Sequence, residues 1–447
     1  MLDAVVIGGG IAGLSAAWKL RNKNILLLES SDRFGGRVYS ERRGKYWLNY
    51  GAHVYNGENS ATDELLKEVG VEAVKVPGTV TGIAMNGKVI VSGKVETYPF
   101  VIPMPWKARL ASLRAGIKVR LAVMEYSKVV RRRPGENFKE YQQRIYNYRN
   151  DRTFRDFIGK LPEDSEALFR PIILRSTGDL HEIAAGAGIG YFHLVWSKEE
   201  GLSRNIVGGP STLTQAIAES LGEKAQKNAV VHEVIQKADS VVVKYTQHGE
   251  EHEVTAKYAV LATPAPITKQ IAKNLDEDVK VALGKIIYGP YVSAAFLTNE
   301  TGVQFWDDAY AIATPKRSFN VFFNMSNVIR NMEDVRGKGS SFMAFSPANL
   351  AKRLIDKSDD EIIDIYLKDI EDIIPNFRDI VTEAKVQKFP IGLPYCFPGR
   401  AKLQPVLTKP LGRLFLAGDY LGTLYTETCI LTGHEAANQI IHKLNQE

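Results

Sequence analysis

The stretch AVVIGGGIAGLSAAWKL, Ala4 to Leu20, constrains the fold more than any other part of this chain. Its short β-branched run suits a strand buried on both faces. The run passes through Gly8-Gly9-Gly10-Ile11-Ala12-Gly13, a G-x-G-x-x-G pattern, into an alanine-rich helix that reaches Leu20. A second apolar run, NILLLE, closes on Glu29. Strand, glycine turn, helix, strand and terminal acid in this order predict a dinucleotide fold. Gly8 permits the tight turn, Gly10 lets the backbone approach a pyrophosphate, and Gly13 packs helix against strand. Ile11 and Ala12 open the helix, whose free N–H groups face the phosphates. Glu29, with Ser30 beside it, is placed to accept hydrogen bonds from ribose hydroxyls. An acid there, not an arginine, argues against a 2′-phosphate.

A second unit of the same plan, LFLAGDYLGTLYTETCILTGHEAAN, runs from Leu414 to Asn438. The 447 residues between and around these units suffice for two or three domains. A net charge of +6 is too mild on this length for a nucleic-acid binder. Cys396 and Cys429 have no metal-ligand or CxxC spacing, so free thiols and a cytoplasmic setting are expected. Strand residues begin at Leu2 with no leader-like segment before them, and no apolar run approaches a membrane span. The histidines are scattered, and neither a metal cage nor a nucleophile–base triad is visible.

The segment ESSDRFGGRVYS, Glu29 to Ser40, carries E-x-x-x-R-x-G-G-R. Here the chain resembles the flavin amine oxidase superfamily, which includes monoamine and polyamine oxidases, protoporphyrinogen oxidases and carotenoid desaturases. The resemblance implies FAD, with Arg37 along its pyrophosphate and Gly35 and Gly36 beside the flavin. LNYGAHVYN, Leu48 to Asn56, resembles the family's second glycine segment. It implies Gly51 and Ala52 close to the ring. His53 could bond flavin or substrate, or serve structure alone. RNIVGGPSTLTQAIAESLG, Arg204 to Gly222, resembles the segment that returns the chain to the FAD unit, with Thr212 and Gln215 spaced as a capping box. VVHEVI, SVVVKY and YAVLATP then match the family's β-meander. They leave Val231 as an adenine contact or a core valine. At the far end the resemblance assigns Gly418 and Asp419 to the ribityl-phosphate side, and Glu427 and Thr428 to the flavin pyrimidine.

The expected fold is α/β: a discontinuous Rossmann-type FAD-binding domain (1–80, 203–285, 388–447) with an α+β substrate domain (81–202, 286–387). The expected chemistry is hydride transfer from an amine C–H to flavin N5, with reoxidation by oxygen or another acceptor. Monoamine oxidases frame the amine between two aromatic rings; by that resemblance Tyr425 matches one of them, or is a core tyrosine. The other falls near Leu393, with Tyr395 close by. In LPYCFPGR, Cys396 lies too near Gly399 to match the cysteine that tethers flavin in relatives, so non-covalent FAD is expected. The lysine that amine oxidases tend to place near Val292 or Ser293 is missing, which keeps porphyrinogen- or carotenoid-type dehydrogenation open as an alternative. The Gly-Ala-His also occurs in flavin-dependent sugar mutases, leaving a non-redox role as a remoter one. Residues 106–133 predict a helix with Leu110, Leu113, Ile117 and Met124 on one face and Lys and Arg opposite. This helix could meet an anionic membrane or simply present a solvated face.

Overall fold

The computed structural model describes every residue except 77, 79, 197–200, 331, 424 and 447. Strand Leu2–Ile7 lies between two parallel neighbours, Ile25–Leu28 and the last part of Glu250–Leu261. Ala225–Gln226 extends the sheet on one side, and Leu414–Leu416 joins Glu250–Leu261 in parallel. Ala229–Gln236 and Val241–Gln247 complete a seven-stranded sheet as an antiparallel meander. Alternate residues of the first strand feed two separate cores, Ala4 and Val6 one and Val5 and Ile7 the other. That double burial is why the run carries no polar alternation. Helix Ile11–Lys19 packs on the last helix, Tyr425–Leu444, so closely that a Cβ on Gly433 would collide with the Ala12 carbonyl.

A second seven-stranded sheet runs in the order Val381–Pro394, Tyr288–Thr298, Ser341–Pro347, Val321–Asn324, Ala311–Ala313, Gly82–Met85, Lys88–Ile90. Its last hairpin turns at Asn86 and Gly87, both with positive φ as a tight hairpin requires. Phe296, Phe322, Phe342 and Phe377 pack one face. Helices Trp106–Val129, Glu163–Leu174 and Ala185–Trp196 form a further layer around Phe154, Phe169 and Phe192. The architecture is thus α/β, a Rossmann-type unit gathered from distant segments and joined to an α+β unit.

Two expectations are corrected. Helix Ser211–Leu221 starts before Thr212 and has no side-chain cap, so Thr212 and Gln215 form no capping box. The Ser211 hydroxyl instead accepts a hydrogen bond from the Ser40 amide at 2.8 Å and ties the helix to the GGR segment. In helix Trp106–Val129 the face opposite the leucine stripe is not Lys and Arg but Ala108, Ser112, Ala115, Val119 and Ala122, which turn inward. Small residues let this helix sit close on Ala185–Trp196. The stripe is left outside, with Trp106 68%, Ile117 63%, Leu121 61% and Met124 58% exposed.

Candidate active site

A cavity of about 660 Å³ opens where the parallel strands end. Ile7-Gly8, Leu28-Glu29, Ala262-Thr263 and Gly418-Asp419 all reach its wall from the carboxyl ends of strands, where dinucleotides bind in such sheets. Gly10 has φ −68° and ψ 173° at the start of the first helix, and a Cβ there would meet no protein atom within 4 Å. Its missing side chain therefore opens space in the cavity rather than relieving strain. Gly13 is the opposite case: a Cβ would drive into the Gly8 carbonyl, so its role is close packing away from the wall. Glu29 accepts from the Gly9 amide at 2.6 Å and the Ser31 amide at 2.8 Å, which fixes its carboxylate at the cavity edge beside Ser30. Val231 and Ala229 flank that edge from the meander.

Gly35, Gly36 and Arg37 form the facing wall with Ile11 and Ala12. The Arg37 guanidinium pairs with Asp419 at 2.8 Å and also donates to the Gly392 carbonyl. This pair ties the first glycine unit to the last. Burial alone would lower the Arg37 pKa, but Asp419, helped by Tyr288, reverses it and the net shift is upward. Burial pushes the Asp419 carboxyl up, and Arg37 opposes that rise.

Several proposed contacts fall elsewhere. Ala52, Val54 and Asn56 line the cavity, so the extended backbone turns His53 and Tyr55 away. The His53 ring packs edge-on against Phe323 at 4.5 Å, Nδ1 lies 2.9 Å from the Gly51 carbonyl, and burial lowers its pKa to about 4. It is a neutral packing residue behind the wall. Gly51 is likewise behind it, where a Cβ would strike the Arg37 carbonyl. Glu427 does not face the cavity. It accepts from the Ala61 amide at 2.7 Å, the Thr62 amide at 3.0 Å and the Thr62 hydroxyl at 2.6 Å, capping helix Ala61–Val69. Thr428 is buried against Gly422, and Thr426 and Cys429 take the places on the wall. Helical spacing explains the pattern, since 425, 426 and 429 share a face that 427 and 428 do not. Glu427→Ala is therefore expected to keep its flavin and lose ~2–3 kcal/mol of stability, read as a lower denaturation midpoint at unchanged flavin content.

Beside the cofactor cavity lies a second of about 230 Å³, rich in tyrosine: Tyr126, Tyr141, Tyr146, Tyr191, Tyr395 and Tyr425. Tyr425 and Tyr191 line both cavities, and their hydroxyls are in contact. Tyr395 and Cys396 line only the second, whereas Leu393 faces the first. Tyr191 was not singled out from the sequence. It lies in AGAGIGYFHLVW, where nothing but partnership with a residue far along the chain marks it. Asp419 is the only carboxylate among the described lining residues of the second cavity, and Arg37 already pairs it.

Fold and cavities together define a flavoprotein oxidoreductase built on a dinucleotide-binding sheet. Residues 11–441 match the family described as flavin containing amine oxidoreductase, and the chain belongs to it. It is 25% identical over 488 aligned positions to amine oxidase [flavin-containing] A of Equus caballus, spanning 100% of this chain and 86% of that protein. Against amine oxidase [flavin-containing] B of Homo sapiens the values are 23% over 480 positions, 99% and 87%. Among solved structures, putrescine oxidase bound to putrescine aligns over 99% of both chains with a TM-score of 0.78 at 16% identity, and so shares the fold. Cyclohexylamine oxidase from Brevibacterium oxydans gives the same values. The chain is an FAD-dependent enzyme of amine oxidase type. The open face of Gly10, the helix start behind it and the fixed Glu29 carboxylate fit that cofactor.

Proposed function

We propose that this chain oxidises a monoamine with an apolar or aromatic body. The observation that carries this reading is the tyrosine-lined cavity sharing Tyr425 and Tyr191 with the cofactor cavity while holding no unpaired carboxylate among its described residues. Aromatic faces favour an amine through its cationic or C–H groups, but a second ammonium would find no counter-ion. Bound FAD would supply the two-electron acceptor for the amine C–H bond, with reoxidation by oxygen or another acceptor. Gly8, Gly10–Ala12, Glu29, Ser30, Gly35–Arg37, Ala52, Val231, Gly418 and Asp419 would hold it. No thiol stands at Gly392 or Leu393, and burial raises the Cys396 thiol to about 12. Both support a non-covalent flavin that acid precipitation frees into solution.

His53 lies behind the wall, and burial raises Tyr191, Tyr395 and Tyr425; among the described residues His193 is the imidazole that lines the second cavity, and His232 lines the cofactor cavity. In this reading the amine arrives with its own lone pair free, and His193 is the alternative proton acceptor. Anaerobic flavin bleaching should thus be fast with benzylamine, absent with putrescine, and rise with pH along a limb that tracks each amine's own pKa. A limb fixed at one pH across amines would assign the base to the protein. Bleaching by no amine would overturn the reading and favour dehydrogenation of a hydrophobic substrate. One observation leans that way: on strand Tyr288–Thr298 the buried Ser293 donates to the Tyr50 carbonyl at 2.7 Å where a lysine was sought.

We also infer that helix Trp106–Val129 rests on an anionic membrane surface. Its outward stripe of Trp106, Leu110, Ile117, Leu121 and Met124 is bordered by Lys107, Arg114 and Lys118 on one side and Arg109 and Arg120 on the other. Among the described residues no helix is long and apolar enough to cross a bilayer, so the contact would be interfacial.

A further inference from the structure

A third cavity, of about 390 Å³, lies between helices Trp106–Val129, Glu163–Leu174 and Ala185–Trp196 and the edge of the second sheet. Its inner wall is apolar: Ile83, Tyr98, Phe169, Pro171, Phe192 and Trp196. Ile117, Arg120, Leu121 and Glu96 form its exposed rim. This size and lining suit a small organic ligand rather than water. One charged side chain sits deeper. Arg175, just past the end of Glu163–Leu174, lines the cavity.

Among the described residues no hydrogen bond or ion pair reaches the Arg175 side chain, and its Nε is sealed from solvent without a partner. Among the other interior arginines, Arg37 pairs with Asp419, Arg144 with Glu136, and Arg330 and Arg336 with Asp307, while Arg400, without a carboxylate, donates to the Gln404 side chain and the Tyr420 carbonyl. Arg170, one turn earlier on the same helix, has both Glu166 and Asp179. Tyr310, Tyr191 and His53 interact electrostatically with Arg175, and none is an anion; the carboxylate that lines the cavity, Glu96, is on its exposed rim with Arg120. Burial lowers its pKa from the ordinary arginine value, but an arginine remains charged far above neutrality. A guanidinium without a counter-ion in an apolar chamber is costly unless a ligand supplies one.

We propose that this cavity binds an amphiphile with an apolar body and a carboxylate or similar small anion, with Arg175 as the counter-ion. The guanidinium fork suits two-point pairing with a carboxylate, while the rings of Phe169, Phe192 and Trp196 enclose the apolar part. Phe192 and Trp196 look into this cavity from one side of helix Ala185–Trp196, while Tyr191 and Leu194 on the same helix line the cofactor cavity. The occupant is thus one helix away from the cofactor cavity. The proposal does not depend on amine oxidation, because its test reads binding and no turnover.

The holoenzyme is titrated with dodecanoate and with 1-dodecanol below their aggregation limits, following tryptophan fluorescence, to which Trp196 in the wall contributes. Dodecanoate is expected to bind at least about tenfold tighter than the alcohol, the factor of one modest charge-assisted contact. In Arg175→Met the preference should fall to about twofold or less while the flavin is retained. Gly116 lines the same cavity, and a Cβ there would meet no atom within 4 Å. Gly116→Phe should therefore fill the space and weaken both probes about tenfold with Arg175 intact. This variant decides the question should Arg175→Met fail to fold. Two sources of such an anion are separated by repeating the titration anaerobically with benzylamine present. Competition with dodecanoate marks the cavity as the far end of the substrate site, and independent binding marks a separate lipid-acid site. Equal affinity for acid and alcohol in the wild type, or a preference that survives in Arg175→Met, overturns the proposal.

Discussion

Gly10→Val is expected to give a folded but colourless protein, and Gly13→Val a protein that does not fold at all. Both lie in one six-residue motif, and the difference comes from what each missing side chain leaves room for. Gly10 has backbone angles that any residue adopts, and a Cβ there meets no protein atom within 4 Å. A valine costs the apo protein little, but it projects into the space where the pyrophosphate must lie against the helix start. Overpacking of that kind is worth ~3 kcal/mol or more, about a hundredfold in FAD affinity. At Gly13 the collision is with the Gly8 carbonyl, within the strand–turn–helix itself. Gly8, at φ +102°, has no freedom to retreat, because a Cβ of its own would already press on Ala262. Relief requires parting the first helix from the sheet, at a cost of ~4–5 kcal/mol in the main core. The measurement is flavin absorbance per protein together with the denaturation curve. A yellow Gly10→Val protein would move the cofactor away from this turn, and a stable Gly13→Val protein would contradict the packing.

What could be read from the sequence was whatever is fixed locally. The glycine turn, the acid closing the second strand and the Asn86-Gly87 hairpin each depend on a few adjacent residues, and their geometry follows from φ limits and strand period. The Arg37–Asp419 pair was half legible: each partner was placed near the cofactor, but their direct contact joins segments 382 positions apart. Glu427 shows where local reading ends. Its side chain is spent on amides 366 and 365 positions earlier, and no spacing within TETCILTG reveals that. His53 was a different failure, since alternation in the extended run 52–56 already argues that Ala52, Val54 and Asn56 share a side from which His53 is excluded. For helix 106–129 the periodicity located the apolar stripe, but which face turns inward depends on how near the neighbouring helix can come. Ala108, Ser112, Ala115 and Ala122 allow a close approach that the larger stripe would prevent.

That outward stripe sets the second large effect. Ile117→Glu with Leu121→Glu is expected to release the protein from vesicles containing anionic lipid, with about a thousandfold or greater loss of partitioning and no change in flavin content. Both side chains are more than half exposed, so the substitutions remove nothing from the core. In the wild type, each would enter the headgroup boundary and bury ~100 Å² of apolar surface, worth ~2–3 kcal/mol apiece. Lys and Arg between 106 and 133 number nine against the single Glu125, and each basic group near an anionic surface adds ~1 kcal/mol. The two contributions separate by salt. Raising ionic strength screens the basic flank but leaves apolar insertion in place, so wild-type binding should weaken without vanishing. The double variant introduces two repelled carboxylates and loses the insertion, so it should stay in the supernatant at every salt concentration. If the wild type ignores anionic vesicles, or if the double variant binds them as well as the wild type does, the stripe does not meet a membrane. Because the same residues rim the apolar cavity at Arg175, bound protein would also hold that cavity's mouth against the lipid, from which an amphiphile could enter without crossing water.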